Sequence, residues 1–97
     1  MNDILNTYIE ITEGSKPVNV VLLKTQNARD GSIFKLYDVE MPDYDVRYIE
    51  SLENGCNYVF KATIRDILQI FGSEIADTLY SKEQIEDYLR NEGNSQK

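Results

Sequence analysis

Histidine is absent from all 97 residues, and that gap removes more chemistry than any other feature of the chain. It takes away the commonest general base, the usual catalytic triads and the usual ligand of transition metals. Cysteine is nearly absent too. Cys56 stands alone, so no intramolecular disulfide can form, and a thiolate there would lack an imidazole partner. Its place beside the turn signal Asn54 and Gly55 makes it a strand residue. The glycines sit singly at turns, which excludes a dinucleotide fingerprint and a phosphate loop. The longest apolar run, "VVLL" at 20–23, is far too short to span a bilayer. The opening "MNDILNTY" has neither the basic region nor the apolar stretch of a signal peptide. A cytoplasmic protein with no cofactor, no metal and no membrane contact is expected.

Bases are scarce relative to acids. Ten Lys and Arg face seventeen Asp and Glu, a formal charge of −7. The excess is spread along the chain, with nine acids against five bases in residues 1–50 and eight against five in 51–97. Such a surface lacks the cations that release counterions from a phosphate backbone, so direct nucleic-acid binding is not expected. Basic partners are favoured instead. With 41% hydrophobic residues the chain can bury a core without metal or disulfide. One α+β domain over 1–92 is expected, followed by a flexible tail, 93–97.

The periodicity divides the chain in two. Residues 7–12, "TYIEIT", are rich in β-branched and aromatic types and predict a strand with Ile9 and Ile11 on one face. The alternative for 3–8 is a helical turn capped by Asn2. The next run, 18–25, is apolar on both faces, Val20 and Leu22 against Val21 and Leu23, and predicts a central strand. Asp30 with Gly31 signals a hairpin, and 33–40 alternates cleanly as a third strand. Pro42 should break that strand or sit on an edge. Strands follow at 46–52 and 56–61 around the turn at Asn54 and Gly55.

From Thr63 the period becomes helical. Thr63 and Asp66 stand at capping-box distance, and Ile64, Ile67, Leu68 and Phe71 form one stripe that Gly72 ends. Ser73 suits the cap of a short helix carrying Ile75 and Leu79. Ser81 with Gln84 caps a third helix with apolar face Ile85, Tyr88 and Leu89, and Glu86 and Arg90 stand at ion-pair spacing. An antiparallel meander of four or five strands, followed by two or three helices packed on one of its faces, is predicted. A helix-turn-helix reading of the C-terminal part fails on charge. Residues 73–92 carry six acids and two bases, and the last helix would present Glu83, Glu86 and Asp87 to phosphates.

The densest chemistry lies in "DVEMPDYDV", 38–46, with Asp38, Glu40, Asp43 and Asp45 and no base between Lys35 and Arg47. A calcium loop does not fit, because Asp43 stands where the turn glycine belongs and Ile49 where the bidentate Glu belongs. In extended backbone Asp38 and Glu40 share a face, as do Asp43 and Asp45. Tyr37, Tyr44 and Tyr48 are interleaved, and tyrosine gives contact area at small entropic cost. These seven residues form the candidate partner-binding set. In size, acidity and want of catalytic groups, though in no motif, the chain resembles phage-encoded anti-restriction and anti-CRISPR inhibitors. That implies a non-enzymatic module occupying the basic, nucleic-acid-binding surface of a nuclease or similar protein. The competing expectation is a structural or accessory subunit that forms a homo-oligomer through its sheet edge or helices.

Overall fold

The computed structural model describes residues 3–94, so the Asn2 cap and the end of the expected tail lie outside it. The chain divides into two compact units, residues 1–62 and 63–97. The layout is α+β: a four-stranded antiparallel sheet followed by three helices, with one further helix ahead of the sheet.

That first helix, α1 (Asp3–Glu13), replaces the strand expected at 7–12. Leu5, Tyr8, Ile9 and Thr12 fall at i, i+3, i+4 and i+7, and Leu5 and Ile9 are fully buried while Ile11 is 75% exposed. Ile9 and Ile11 therefore do not share a face. β-Branched residues cost at most about 0.7 kcal/mol each in a helix, whereas burying one Leu or Ile is worth about 1.5–3 kcal/mol. Packing decides the element, and intrinsic preference yields to it. The helix stops at Gly14, whose amide still donates to the Glu10 carbonyl at 3.0 Å while its positive φ of 81° turns the following chain out of the helix.

The strands are β1 (Asn19–Asn27), β2 (Ile33–Glu40), β3 (Asp45–Glu53) and β4 (Cys56–Lys61), joined as a meander in the order β1-β2-β3-β4. Asn54 and Gly55 both take positive φ, 52° and 78°, as a two-residue hairpin turn of matching twist requires. Between β1 and β2 the loop 28–32 is closed by the Ala28 amide on the Ser32 carbonyl and the Ser32 amide on Asp30 Oδ1. Register places Val20 and Leu22, Lys35, Tyr37 and Val39, Val46, Tyr48, Glu50 and Leu52, and Asn57, Val59 and Lys61 on one face. α1 covers one end of that face. Leu5 and Ile9 form a core with Tyr37, Val39, Met41 and Tyr48, and Tyr8 meets the Tyr48 ring edge-on at 5.9 Å.

β1 is not the central strand its two apolar faces predicted. It occupies an edge, and Val21, Leu22 and Leu23 are 44%, 49% and 40% exposed. A register shift between Leu22 and Lys24 bulges the strand at Leu23.

The second unit holds α2 (Ile64–Ile70), α3 (Ser73–Leu79) and α4 (Lys82–Asn94). Thr63 and Asp66 form the expected capping box, as do Ser81 and Gln84. Ile67 and Phe71 of the predicted stripe are buried, with Ile64 and Leu68 partly so. Ser73 does not cap α3 but begins it, after Gly72. On α4, Leu89 is 52% exposed and not part of a covered face. Arg90 pairs with Asp87 at 2.9 Å, one residue short of the expected Glu86.

Candidate functional site

The structure separates the seven residues expected to bind together. Tyr37 and Tyr48 belong to the core beneath α1 and are corrected from surface to interior. Both stand on the α1 face because alternation carries them there, and Asp38, beside Tyr37 in sequence, is turned to the opposite face. The Tyr37 hydroxyl donates to Glu50 Oε1 at 3.3 Å. Asp38 lies on the other face, half-buried, with Arg47 as its cross-strand partner and Arg47 Nε 3.8 Å from its Oδ1. Glu40, Asp43, Tyr44 and Asp45 remain exposed around the β2–β3 turn. Glu40 stands directly opposite Asp45, an unfavourable like-charge pair that the open end of the ladder lets water screen.

Tyr44 is held in place by a carboxylate the sequence did not single out. Glu13, at the last position of α1, accepts hydrogen bonds from the Tyr44 and Tyr48 hydroxyls and pairs with Lys61 Nζ at 2.9 Å. The two hydroxyls, Tyr44 first, and then the Lys61 ammonium hold its carboxyl at about 2, well below the usual carboxylate range. Burial, and then the bond to Glu13, push the Tyr48 hydroxyl up to about 12. Hydrogen bonding to Glu13 raises Tyr44 as well. This cluster ties the end of α1 to the β2–β3 turn and to β4. All its groups are engaged with one another, so its role is to fasten the helix.

The other end of the same sheet face is open. A groove of about 870 Å³ runs between the first turn of α1 and β1, lined by Ile4, Leu5, Val18, Val20, Leu22 and Leu52, with Lys35, Glu50 and Asn57 on its floor. Glu50 is 3% exposed and accepts from Asn57 Nδ2 at 3.3 Å as well as from Tyr37. Apolar exposure concentrates along this border. Val18, Val21, Leu22 and Leu23 lie in and before β1, and Ile4 and Ile11 follow one another along the outer side of α1, 55% and 75% exposed. An edge strand of nine residues also presents unpaired backbone groups along one side.

This border was missed because an apolar run on both faces is the mark of an enclosed strand. The signal that could have found it is the i, i+3, i+4 spacing in 5–12. A helix there leaves no strand to enclose β1 on its outer side.

Cys56 is exposed and free. Among the described residues no group of three or more Cys, Asp or Glu is placed to hold a metal ion, and no helix is long and apolar enough to cross a membrane. Comparison with protein-family models, with curated proteins and with solved structures returned no match.

Proposed function

We propose that this protein is a non-catalytic protein-binding module that works through the β1 edge and the apolar border beside it. One observation carries the reading. Four large apolar side chains at 18–23 are 40% or more exposed on an unpaired edge, next to an 870 Å³ groove. Isolated exposed apolar residues need no explanation, but a contiguous set on a strand edge is what protein partners bury. The bulge at Leu23 and the charge of Lys24 discourage indiscriminate pairing without closing the edge.

A second reading has its own support. Glu40, Asp43 and Asp45 are exposed at one end of the sheet with Tyr44 fixed among them by Glu13. That arrangement suits a basic protein surface, such as the nucleic-acid groove of a nuclease that this module would block. Asp38 contributes less, because Arg47 faces it.

Affinity capture at low and high salt separates the two. Wild type is compared with Val21→Ser/Leu23→Ser and with Glu40→Gln/Asp43→Asn/Asp45→Asn. The edge reading expects capture that disappears in the first variant and survives in the second at either salt concentration. Salt-sensitive capture lost only in the second variant would transfer the function to the acidic turn.

A further inference from the structure

We infer that the β1 edge takes an extended segment of another protein in which carboxylate side chains alternate with apolar ones. The inference rests on the edge reading above and names the chemistry of the partner. Residues 14–29 carry Lys16, Lys24 and Arg29 and no acid, in a chain whose acids outnumber its bases by seventeen to ten. All three cations are exposed. Lys35, on the adjacent strand, is half-buried on the floor of the groove. Among the described residues none of these four makes an ion pair, whereas the other two bases of residues 3–62, Arg47 and Lys61, lie against carboxylates. Free positive charge in this unit is therefore concentrated at the edge with free backbone.

The geometry suits a strand added beside β1. Its backbone would satisfy the outward-facing groups of β1, and alternate side chains would turn toward the groove. On that side a carboxylate meets Lys35, and the apolar residues between, turned to the other face of the sheet, meet the exposed Val21. The register partner of Lys35 on β1 is the short Thr25, which leaves the lysine room toward the edge. Glu50, the cross-strand partner of Lys35 on β3, lies on the side away from the edge, makes no ion pair with the lysine and already accepts from Tyr37 and Asn57. A second copy of this chain is the poorer occupant, because two β1 edges would bring together Lys24 and a bulge from each side, with Lys16 and Arg29 flanking each strand and no acid to meet them.

The test uses the full chain and three capped peptides of the length of β1, alternating Val with Glu, Ser or Lys. Binding is read by fluorescence anisotropy, and its place by hydrogen exchange of the β1 amides. The Val/Glu peptide should bind most tightly, weaken with salt and slow exchange along β1, while Val/Lys should not bind. Lys35→Gln should weaken the Val/Glu peptide roughly tenfold, the loss expected for one charge-assisted bond, and leave Val/Ser unchanged. Lys35→Arg, which keeps the charge, should bind the Val/Glu peptide like wild type and so separates loss of charge from a disturbed sheet. Equal binding of all three peptides would keep strand addition and overturn the acidic partner. If no peptide binds and the chain sediments as a dimer with β1 protected, the occupant is a second copy and the inference falls. If none binds and the chain is monomeric, the edge reading falls with it.

Discussion

β1 and β3 are both nine residues long, and composition alone would rank them in the wrong order. β1, NVVLLKTQN, contains one charge, whereas β3, DVRYIESLE, contains Asp45, Arg47, Glu50 and Glu53. Yet four consecutive residues of β3, from Tyr48 to Ser51, are buried, and β1 buries none. The difference is topological. β3 lies between β2 and β4, and its charges find partners: Arg47 faces Asp38, and Glu50 receives Tyr37 and Asn57. β1 has a neighbour on one side only, and at its Val20 end alone does the core beneath α1 reach it. A strand's apolar content states what it can bury, and its place in the sheet decides what it does bury.

Substitutions can break this comparison, and the largest effect belongs to β3. Tyr48 is fully buried, packs against Tyr8 and bonds Thr12 and Glu13. Tyr48→Ala should cost about 3–5 kcal/mol in urea unfolding, a large part of a domain's usual 5–15 kcal/mol. A loss under about 1 kcal/mol would mean that the core beneath α1 does not exist as described.

Next in size is the fastening at Glu13. Glu13→Gln should cost about 1.5–3 kcal/mol at pH 7, the worth of hydrogen bonds to a charged group. Its folded carboxyl titrates at about 2, below the ordinary 4.5, so its contribution is complete above 4.5 and lost as pH falls toward 2. Wild-type stability should therefore drop across that window more steeply than that of the variant. Parallel curves would show that Glu13 is not held in the ionised form. Tyr48 acts at the opposite limit. Its folded hydroxyl is raised from 10 to about 12, so its contribution is intact below 10 and fades as pH rises through 12.

The smallest effect on stability belongs to β1. Leu22→Ser, at a position 49% exposed, should cost under about 1 kcal/mol while weakening capture of a partner. A loss comparable to that of Tyr48→Ala would place Leu22 in a core and remove the basis for an open edge.

Much of the fold was legible in local signals. The turn at Asn54 and Gly55, the boxes at Thr63 and Ser81 and the alternation of 33–40 each fix backbone within a few residues, and a local pattern is enough to read them. Residues 7–12 were misread because Thr7, Ile9, Ile11 and Thr12 carry strand preference. The contact that makes them helical is long-range, Leu5 and Ile9 against Val39 and Tyr48. The candidate site was less legible for the same reason. Neighbours in sequence such as Tyr37 and Asp38 part to opposite faces, while Glu13 and Tyr44, far apart in sequence, meet. The concentration of unpaired cations at β1 needed both the strand order and the ion pairs made elsewhere.

Residue-resolved hydrogen exchange on the free, monomeric protein tests the open edge most directly. Amides of β3 from Tyr48 to Leu52 should exchange slowly, because ladders flank those residues on both sides. Along β1 slow and fast amides should alternate, the fast ones being those that point away from β2, with a break at the bulge beside Leu23. Uniform protection along β1, equal to that of β3 in a monomer, would mean that the edge is already covered and unavailable to a partner.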